Sequence, residues 1–221
     1  MAGRGVMVTV LVTTMLLTGC ATTVAGTATW PGAVLEQALL HQSDFPAGVQ
    51  YDRIIEKAGQ SDGAGEPGPM LSRPQGCSNA LTNVIAQSAE RGPGSAAKYA
   101  VSYDGARIAM TLLSWNLDLA KIEAAASRCV KFEAYFDPDS PGIPIVTVEL
   151  PGLGPGGLGY QQTMTLRNST SSIYMAFQNV DDHAVFGISL PASNPRIEAK
   201  AELPQTFLDV FAKQVARIRS S

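Results

Sequence analysis

Four β-strand patterns follow one another in the second half of the chain, and they constrain the fold more than any other feature of the sequence. The patterns cover residues 143–150, 159–167, 172–180 and 184–190. The turn-forming sequences RNSTS and DDH separate the last three of these segments. Strands joined by such short turns pair antiparallel, because a parallel pair needs a crossover of a dozen or more residues. The run therefore predicts an antiparallel sheet.

Helical patterns occupy other parts of the chain. They cover residues 32–40, a stretch that starts at Ser78 and ends before ERGPG, residues 117–133, and a C-terminal stretch from about Leu203. A strand is predicted over residues 49–56, a long Gly/Pro-rich loop over residues 57–76, and a hairpin around the turn Asp104-Gly105. Helices segregated from consecutive hairpins are typical of the α+β class. We predict a largely antiparallel β-sheet with helices packed on one face and one disulfide.

The N-terminal segment has the features of a signal peptide. Arg4 and the amino terminus supply positive charge, and Val6 to Leu17 form an apolar stretch of twelve residues. A stretch of this length is too short to span a membrane unaided and suits the apolar region of a signal.

The sequence Leu17-Thr18-Gly19-Cys20 resembles the bacterial lipobox. In lipoproteins with this motif, the cysteine sulfur receives a diacylglyceryl group, and a signal peptidase cuts before the cysteine. The resemblance implies a signal peptide at residues 1–19, a lipid-anchored Thr-rich tether at residues 20–31, and a single globular domain at residues 32–221. It places the domain on the extracytoplasmic side of the cell membrane, anchored through Cys20. The alternative is an uncleaved apolar anchor with an incidental cysteine.

Removing Cys20 from the count leaves Cys77 and Cys129. An even pair outside the cytoplasm is most simply one disulfide. The alternative is a redox-active pair, but the sequence has no C-x-x-C motif and no histidine near either cysteine. We therefore predict a structural Cys77–Cys129 bridge.

Charge and composition argue against several functional classes. Sixteen Lys and Arg against 19 Asp and Glu give a formal net charge of −3, without a basic patch for nucleic acid. The two histidines, His41 and His183, are too few for a multi-histidine metal site, and neither accompanies a G-x-S-x-G nucleophile elbow. The sequence GLGPGG at 152–157 matches a dinucleotide-binding pattern, but a strand pattern follows where that motif requires a helix. We predict no cofactor, no metal and no enzymatic activity.

The lipobox, the Thr-rich tether, the sequence SDFPAGV and the widely spaced cysteine pair together resemble small lipoproteins of mycobacteria and related actinobacteria. The layout of residues 30–219 is similar to the extracellular sensor domain of PknH-type receptor kinases. This resemblance implies an antiparallel sheet with helices around a cleft, tied by disulfides, that binds an unidentified ligand.

Three functions remain open from the sequence. The first is a non-enzymatic, lipid-anchored binding or sensor-like domain, which would show a shallow polar cleft. The second is a carrier of lipid or another apolar envelope molecule. It would show a large dry cavity lined by strand side chains, namely Met110, Leu112, Met164, Met175 and Phe177. The third is a hydrolase, which would bring a serine, a histidine and an acid within hydrogen-bond reach.

Overall fold

A computed structural model of the chain describes residues 31–55, 70–83, 91, 94–167 and 169–221. Its strands are β1 (Gln50–Ile54), β2 (Leu71–Arg73), β3 (Ala96–Tyr103), β4 (Ala106–Leu113), β5 (Lys131–Tyr135), β6 (Ile143–Glu149), β7 (Gly157–Leu166), β8 (Ser169–Val180) and β9 (His183–Leu190). The helices of the described residues are α1 (Pro31–Ala38), α2 (Leu119–Arg128) and α3 (Gln205–Arg219), with one 3-10 turn at Gln42–Asp44.

The nine strands form one sheet in the order β1-β3-β4-β9-β8-β7-β6-β5-β2, and all neighbours pair antiparallel. The predicted strands between residues 143 and 190 correspond to β6 to β9. The predicted hairpin corresponds to β3 and β4, where Gly105 supplies the positive φ that the turn requires. The α+β class and the antiparallel sheet are therefore confirmed.

Two strands lie where the sequence predicts other structure. β2 lies inside the predicted loop 57–76, and β5 begins at Lys131, inside the predicted helix 117–133, and continues to Tyr135. Phe132 and Ala134 are buried in β5, whereas Lys131 and Glu133 are exposed, and this alternation has the period of two expected for a strand. The predicted helix from Ser78 is described only in part, because residues 84–90 lie outside the described residues, and residues 78–82 form turns.

Helices cover both faces of the sheet instead of one. One core cluster joins α1 and α3 to side chains such as Tyr174 and Ala176. A second joins α2 to Met175 and Phe177, which alternate with them along the same strand. Residues 174–178 and 184–189 are buried without interruption, so both sides of the central strands β8 and β9 are covered.

Small residues on the central strands let the covering elements approach closely. Gly187, Ala176 and Gly159 lie side by side on β9, β8 and β7. A Cβ on Gly187 would lie 2.9 Å from the Phe211 ring of α3, and a Cβ on Gly159 would lie 2.7 Å from Leu153 Cδ1. The row therefore forms a trough that receives α3 and the loop between β6 and β7.

The disulfide forms between Cys77 and Cys129, with the two Cα atoms 5.5 Å apart. It connects the turns after β2 to the residue that caps the C-terminus of α2. Both cysteines are fully buried in a small cluster with Phe132 and Ala134 of β5. The predicted bridge is thus confirmed as a core element.

Helix α1 is attached to α3 through Gln214, which is fully buried. Its side chain accepts a hydrogen bond from the Leu40 backbone N–H at 3.1 Å and donates one to the Ala38 carbonyl at 2.8 Å. These contacts satisfy backbone groups at the end of α1 that have no partner within the helix. Among the described residues, no helix is both long and apolar enough to cross a membrane.

Candidate functional site

A cleft of about 220 Å³ lies between α2 and the strands β6 and β7, and we call it the α2 cleft. From the helix and its C-terminal end it is lined by Glu123, Ala126, Ser127 and Val130. From the strands it is lined by Thr147, Val148, Glu149, Leu158, Gly159 and Tyr160.

The orientation of α2 determines which of its side chains line the cleft. The helix begins after Asp118, whose carboxylate accepts a hydrogen bond at 3.0 Å from the backbone N–H three residues on, as an N-cap does. Ile122 and Ala126 are one turn apart and are buried against the sheet. Glu123 and Ser127 each follow one of these buried residues, so they lie on the flank of α2 that borders the cleft.

Two cross-strand pairs form the strand side of the cleft. Thr147 lies opposite Gln162, and Glu149 lies opposite Tyr160, two residues further along β6. Side chains two residues apart on a strand point to the same face of the sheet. The Gln162 amide Nε2 donates to the Thr147 hydroxyl at 3.2 Å, so this buried polar pair is satisfied internally.

Tyr160 contributes a solvent-accessible hydroxyl group to the cleft. The residue is 8% exposed, and its ring packs against Phe177 with the centroids 6.4 Å apart. No described residue makes a hydrogen bond to its hydroxyl group. Burial raises the pKa of the Tyr160 phenol, and the negative charges of Glu123 and Glu149 raise it further. The two carboxylates therefore act electrostatically on the same hydroxyl.

The cleft is acidic. Its lining contains Glu123 and Glu149 and no lysine, arginine or histidine. Neither glutamate forms an ion pair with another residue in the part of the chain that the structure describes. The lining can accept hydrogen bonds and attract positive charge, but it contains no pair of a nucleophile and a basic imidazole.

The opposite flank of α2 borders a second hollow, of about 290 Å³, whose lining is basic. The Arg91 guanidinium lies over the Trp115 ring, 4.3 Å from its centroid. Lys121 and Arg128 of α2 also line this hollow, and Arg128 donates a hydrogen bond to the Gln75 carbonyl at 3.2 Å. The helix thus separates an acidic cleft from a basic one.

No protein-family model matches the sequence, and no curated protein matches it. Solved structures that are similar to it include two mycobacterial proteins. One is an uncharacterised protein of Mycobacterium smegmatis, the Rv0999 ortholog, with 16% sequence identity over 86% of this chain and 96% of its own, at a TM-score of 0.44. The other is the extracellular domain of PknH from Mycobacterium tuberculosis, with 12% identity over 85% of this chain and 95% of its own, at a TM-score of 0.52.

The chain has the fold of the PknH extracellular domain. The resemblance to PknH-type sensor domains that the sequence layout suggests is confirmed at the level of the fold. An identity of 12% does not carry individual binding residues from one protein to the other, so the site is argued from this chain's own side chains.

The residues predicted for a lipid-carrying cavity do not come together. Met110 and Leu112 belong to the core under α1 and α3, whereas Met175 and Phe177 belong to the core under α2. All four side chains are fully buried. Met164, the fifth, is only partly buried. These side chains therefore fill the interior and do not line a common cavity.

The histidines and Cys20 are not part of the cleft. His41 precedes the 3-10 turn, and His183 opens β9. Cys20 lies outside the described residues, so its lipidation stays a prediction. Within the described residues, no group of three or more His, Cys, Asp and Glu side chains could hold a metal ion.

The sequence analysis does not identify Glu123 and Glu149 as site residues. One signal was available for Glu149, because the pattern Thr147, Val148, Glu149 places two polar side chains on one face of a strand. No comparable signal marks Glu123, which resembles any other charged residue on the exposed side of a helix.

Proposed function

We propose that the chain is a lipid-anchored lipoprotein of the cell envelope whose extracytoplasmic domain binds a ligand in the α2 cleft and catalyses no reaction. The α2 cleft carries this proposal. It brings together the Tyr160 hydroxyl, apolar side chains and two carboxylates that form no ion pair with any described residue. Pockets with a few convergent polar groups are where proteins bind small ligands.

The chemistry of the lining supports binding over catalysis. Acyl transfer needs a nucleophile and a base in contact, and the cleft contains neither a histidine nor a cysteine. Burial and the two nearby carboxylates raise the pKa of the Tyr160 phenol, so it is protonated at neutral pH and acts as a hydrogen-bond donor or acceptor.

The fold shared with the PknH extracellular domain supports a sensor-like role on the outer side of the membrane. The Cys77–Cys129 disulfide agrees with an oxidising compartment, because such bridges are rare in the cytoplasm. Anchoring through Cys20 rests on the lipobox resemblance and is tested separately.

Anchoring is tested by metabolic labelling with an alkyne-bearing fatty acid. The wild-type chain should incorporate the label, and Cys20→Ala should incorporate none, because the attachment sulfur is missing. Cys77→Ser is the matched control, since it removes a cysteine that is not predicted to be acylated and should keep the label. Persistent labelling of Cys20→Ala would show that the lipid is not attached at the lipobox.

Ligand binding is tested by photo-crosslinking in cells that express the full chain. A photoreactive p-benzoylphenylalanine replaces Val130 at the rim of the cleft, or Leu166 at the far end of β7 as a control. The two positions are similarly exposed, at 46% and 51%. Intact-mass spectrometry should find a light-dependent small-molecule adduct at position 130 only. Equal adducts at both positions, or none at position 130, would contradict the proposed site.

A further inference from the structure

The connection between α1 and β1 contains most of the sequence SDFPAGV, and it takes no part in the α2 cleft. We infer that residues 41–48 of this connection form a lid over Tyr99, which opens by a local motion while the sheet and the helices stay folded. We call this stretch the α1–β1 lid. It includes the 3-10 turn Gln42–Asp44 and ends at Gly48, shortly before β1. Tyr99 belongs to the core under α1 and α3, so the lid lies on the face of the sheet opposite the α2 cleft.

The Tyr99 hydroxyl group is the first observation in favour of a lid. Tyr99 is 0% exposed, and its hydroxyl group has no hydrogen-bond partner among the described residues. Buried polar groups normally have a partner, because a hydrogen bond that is left unmade away from water is unfavourable. A motion that brings the hydroxyl group into contact with water therefore recovers part of this free energy. For that reason the closed lid is less stable than its other contacts alone would make it.

Two side chains of the lid lie close to Tyr99. The ring of Phe45 contacts that of Tyr99, with the centroids 6.0 Å apart, and that of Tyr51, with the centroids 6.1 Å apart. Burial raises the pKa of the Tyr99 phenol well above its usual value, and the negative charge of Asp44 is among the causes that raise it further. Opening of the lid would therefore uncover Tyr99 and Tyr51, whose rings stack with the centroids 5.4 Å apart.

The lid is attached weakly to the rest of the domain, and none of its residues is buried. The Asp44 backbone N–H donates to the His41 carbonyl at 2.9 Å. The Phe45 backbone N–H donates to the Gln42 carbonyl at 3.2 Å, so both hydrogen bonds stay inside the lid. Besides the Phe45 ring, an exposed hydrogen bond from the Lys213 ammonium group to the Asp44 carbonyl connects the lid to α3. Stretches with few buried apolar contacts and exposed hydrogen bonds are those that open locally.

The lid has a fixed residue at one end and a glycine at the other. Leu40, directly before the lid, is 1% exposed, and its backbone N–H donates to the buried Gln214 side chain. Gly48 has a φ of +87°, which a residue with a side chain rarely adopts. A Cβ at this position would also lie 3.1 Å from the Cβ of Glu198. The closed lid therefore depends on glycine at position 48, whereas α1 is held independently of the lid.

The inference is tested by hydrogen–deuterium exchange on the full chain in a non-ionic detergent, read by mass spectrometry at single-residue resolution. The amides of Asp44 and Phe45 report opening of the lid, because their hydrogen bonds lie inside it. The Leu40 amide reports the attachment of α1, and the Met110 amide in β4 reports unfolding of the sheet. We expect the lid amides to be protected at least about 100-fold less than the other two, because local opening needs less free energy than unfolding. Equal protection at all four positions would show that the lid opens only when the domain unfolds, and the inference would be wrong.

Two tyrosine variants connect the lid to the buried hydroxyl group. Tyr99→Phe should raise the protection of the lid amides about tenfold, because the closed state then leaves no buried hydrogen bond of Tyr99 unmade. Tyr103→Phe is the matched control, since it removes a hydroxyl group of the same strand that is not among the buried groups without a partner. This control should leave the protection of the lid amides as in the wild type. If Tyr99→Phe does not raise that protection, or if both variants raise it equally, the lid does not cover the Tyr99 hydroxyl group and the inference fails.

Two glycine variants test the end of the lid at Gly48. Gly48→Ala strains the closed lid and should lower the protection of the lid amides about fivefold or more, while the Leu40 and Met110 amides keep theirs. Gly76→Ala is the matched control, because Gly76 also has a positive φ, of +79°, and lies outside the lid. It should leave the lid amides unchanged. If Gly48→Ala has no effect, or if it lowers the protection of Leu40 and Met110 as much as that of the lid, the stretch is not a separately opening lid.

Discussion

Replacing Gly187 with alanine tests whether the trough in the central strands determines how α3 packs. Gly187 lies opposite Met110 on β4 and Ala176 on β8. A Cβ at this position would lie 2.9 Å from Met110 Sδ and 2.9 Å from the Cδ2 atom of Phe211, which are closer than side-chain carbons normally approach. Something must therefore move to admit a single methyl group.

The free energy of unfolding that Gly187→Ala loses depends on which neighbouring side chain can move. The end of the Met110 side chain is flexible, and a different rotamer would relieve one contact. The Phe211 ring is 1% exposed and sits between α3 and the sheet, so it can move only if the helix shifts. Overpacking a well-filled core costs about 1–3 kcal/mol. In a chain of this size, each kcal/mol lowers the melting temperature by about 2–4 °C.

The assay is urea unfolding followed by circular dichroism, with Gly154→Ala as the matched control. No heavy atom would lie within 4 Å of a Cβ on Gly154, so we expect that variant to be neutral or stabilised by about 0.4–1 kcal/mol. Phe211→Leu removes part of the ring that meets the new methyl group. In combination with Gly187→Ala it should therefore cost less than the two single changes added together. If Gly187→Ala unfolds within about 0.5 kcal/mol of the wild type, or if the two changes are additive, the packing argument is wrong.

Three further predictions concern stability. The double variant Cys77→Ser, Cys129→Ser opens a loop with a sequence separation of 52. Because the bridge restricts the unfolded chain, its loss should lower the free energy of unfolding by about 4 kcal/mol in urea. An unchanged urea midpoint would refute this argument. Gln214→Leu leaves the Leu40 amide and the Ala38 carbonyl of α1 buried without partners, and should lower the free energy of unfolding by about 1–3 kcal/mol per group. An unchanged free energy of unfolding would show that α1 stays attached without these two hydrogen bonds. Burial raises the pKa of Tyr99 well above 10.0, so the phenol loses its proton at a lower pH in the unfolded state than in the folded state. The free energy of unfolding should therefore fall as the pH rises above about 10. Unfolding curves at about pH 9 and about pH 11 check this, and equal stability at the two values would contradict it.

The strands from β6 to β9 could be predicted from the sequence because their signals are local. The turns at RNSTS and DDH, and the Asp104-Gly105 turn of the earlier hairpin, mark where consecutive strands connect, although β8 begins at Ser169, inside RNSTS. The apolar face of α3 is equally local, because its apolar residues recur at helical spacing, and the structure buries them, namely Phe207, Val210, Phe211, Val215 and Ile218.

The boundary between α2 and β5 could not be predicted in the same way. Ile122, Ala126, Cys129 and Phe132 continue one stripe at helical spacing, so periodicity alone extends the predicted helix to residue 133, into β5. In the structure the helix ends at Arg128, and the chain pairs with β6 and β2 instead. That pairing is between distant parts of the chain, and no local pattern reveals it.

The α2 cleft depends on non-local structure even more. Glu149 and Tyr160 become neighbours through the register of β6 and β7, and Glu123 joins them only because α2 crosses the same face of the sheet. The uninterrupted burial of residues 174–178 shows that the central sheet needs cover on both faces. This burial pattern does not show which helix packs on each face of the sheet, or where the helix ends and leaves a cleft beside it.

The helix α2, which forms one wall of the cleft, is attached at both ends. The helix has ten residues, and isolated helices of this length are marginally stable in water. Before its N-terminus, Leu117 exchanges two hydrogen bonds with the Asn179 side chain, at 2.8 and 2.9 Å. After its C-terminus, Cys129 is covalently bound to Cys77. Reduction of the disulfide would release one end of the wall that carries Glu123. Ligand binding in the cleft should therefore weaken under reducing conditions, which links the shape of the site to the oxidising compartment that the lipobox at Cys20 predicts.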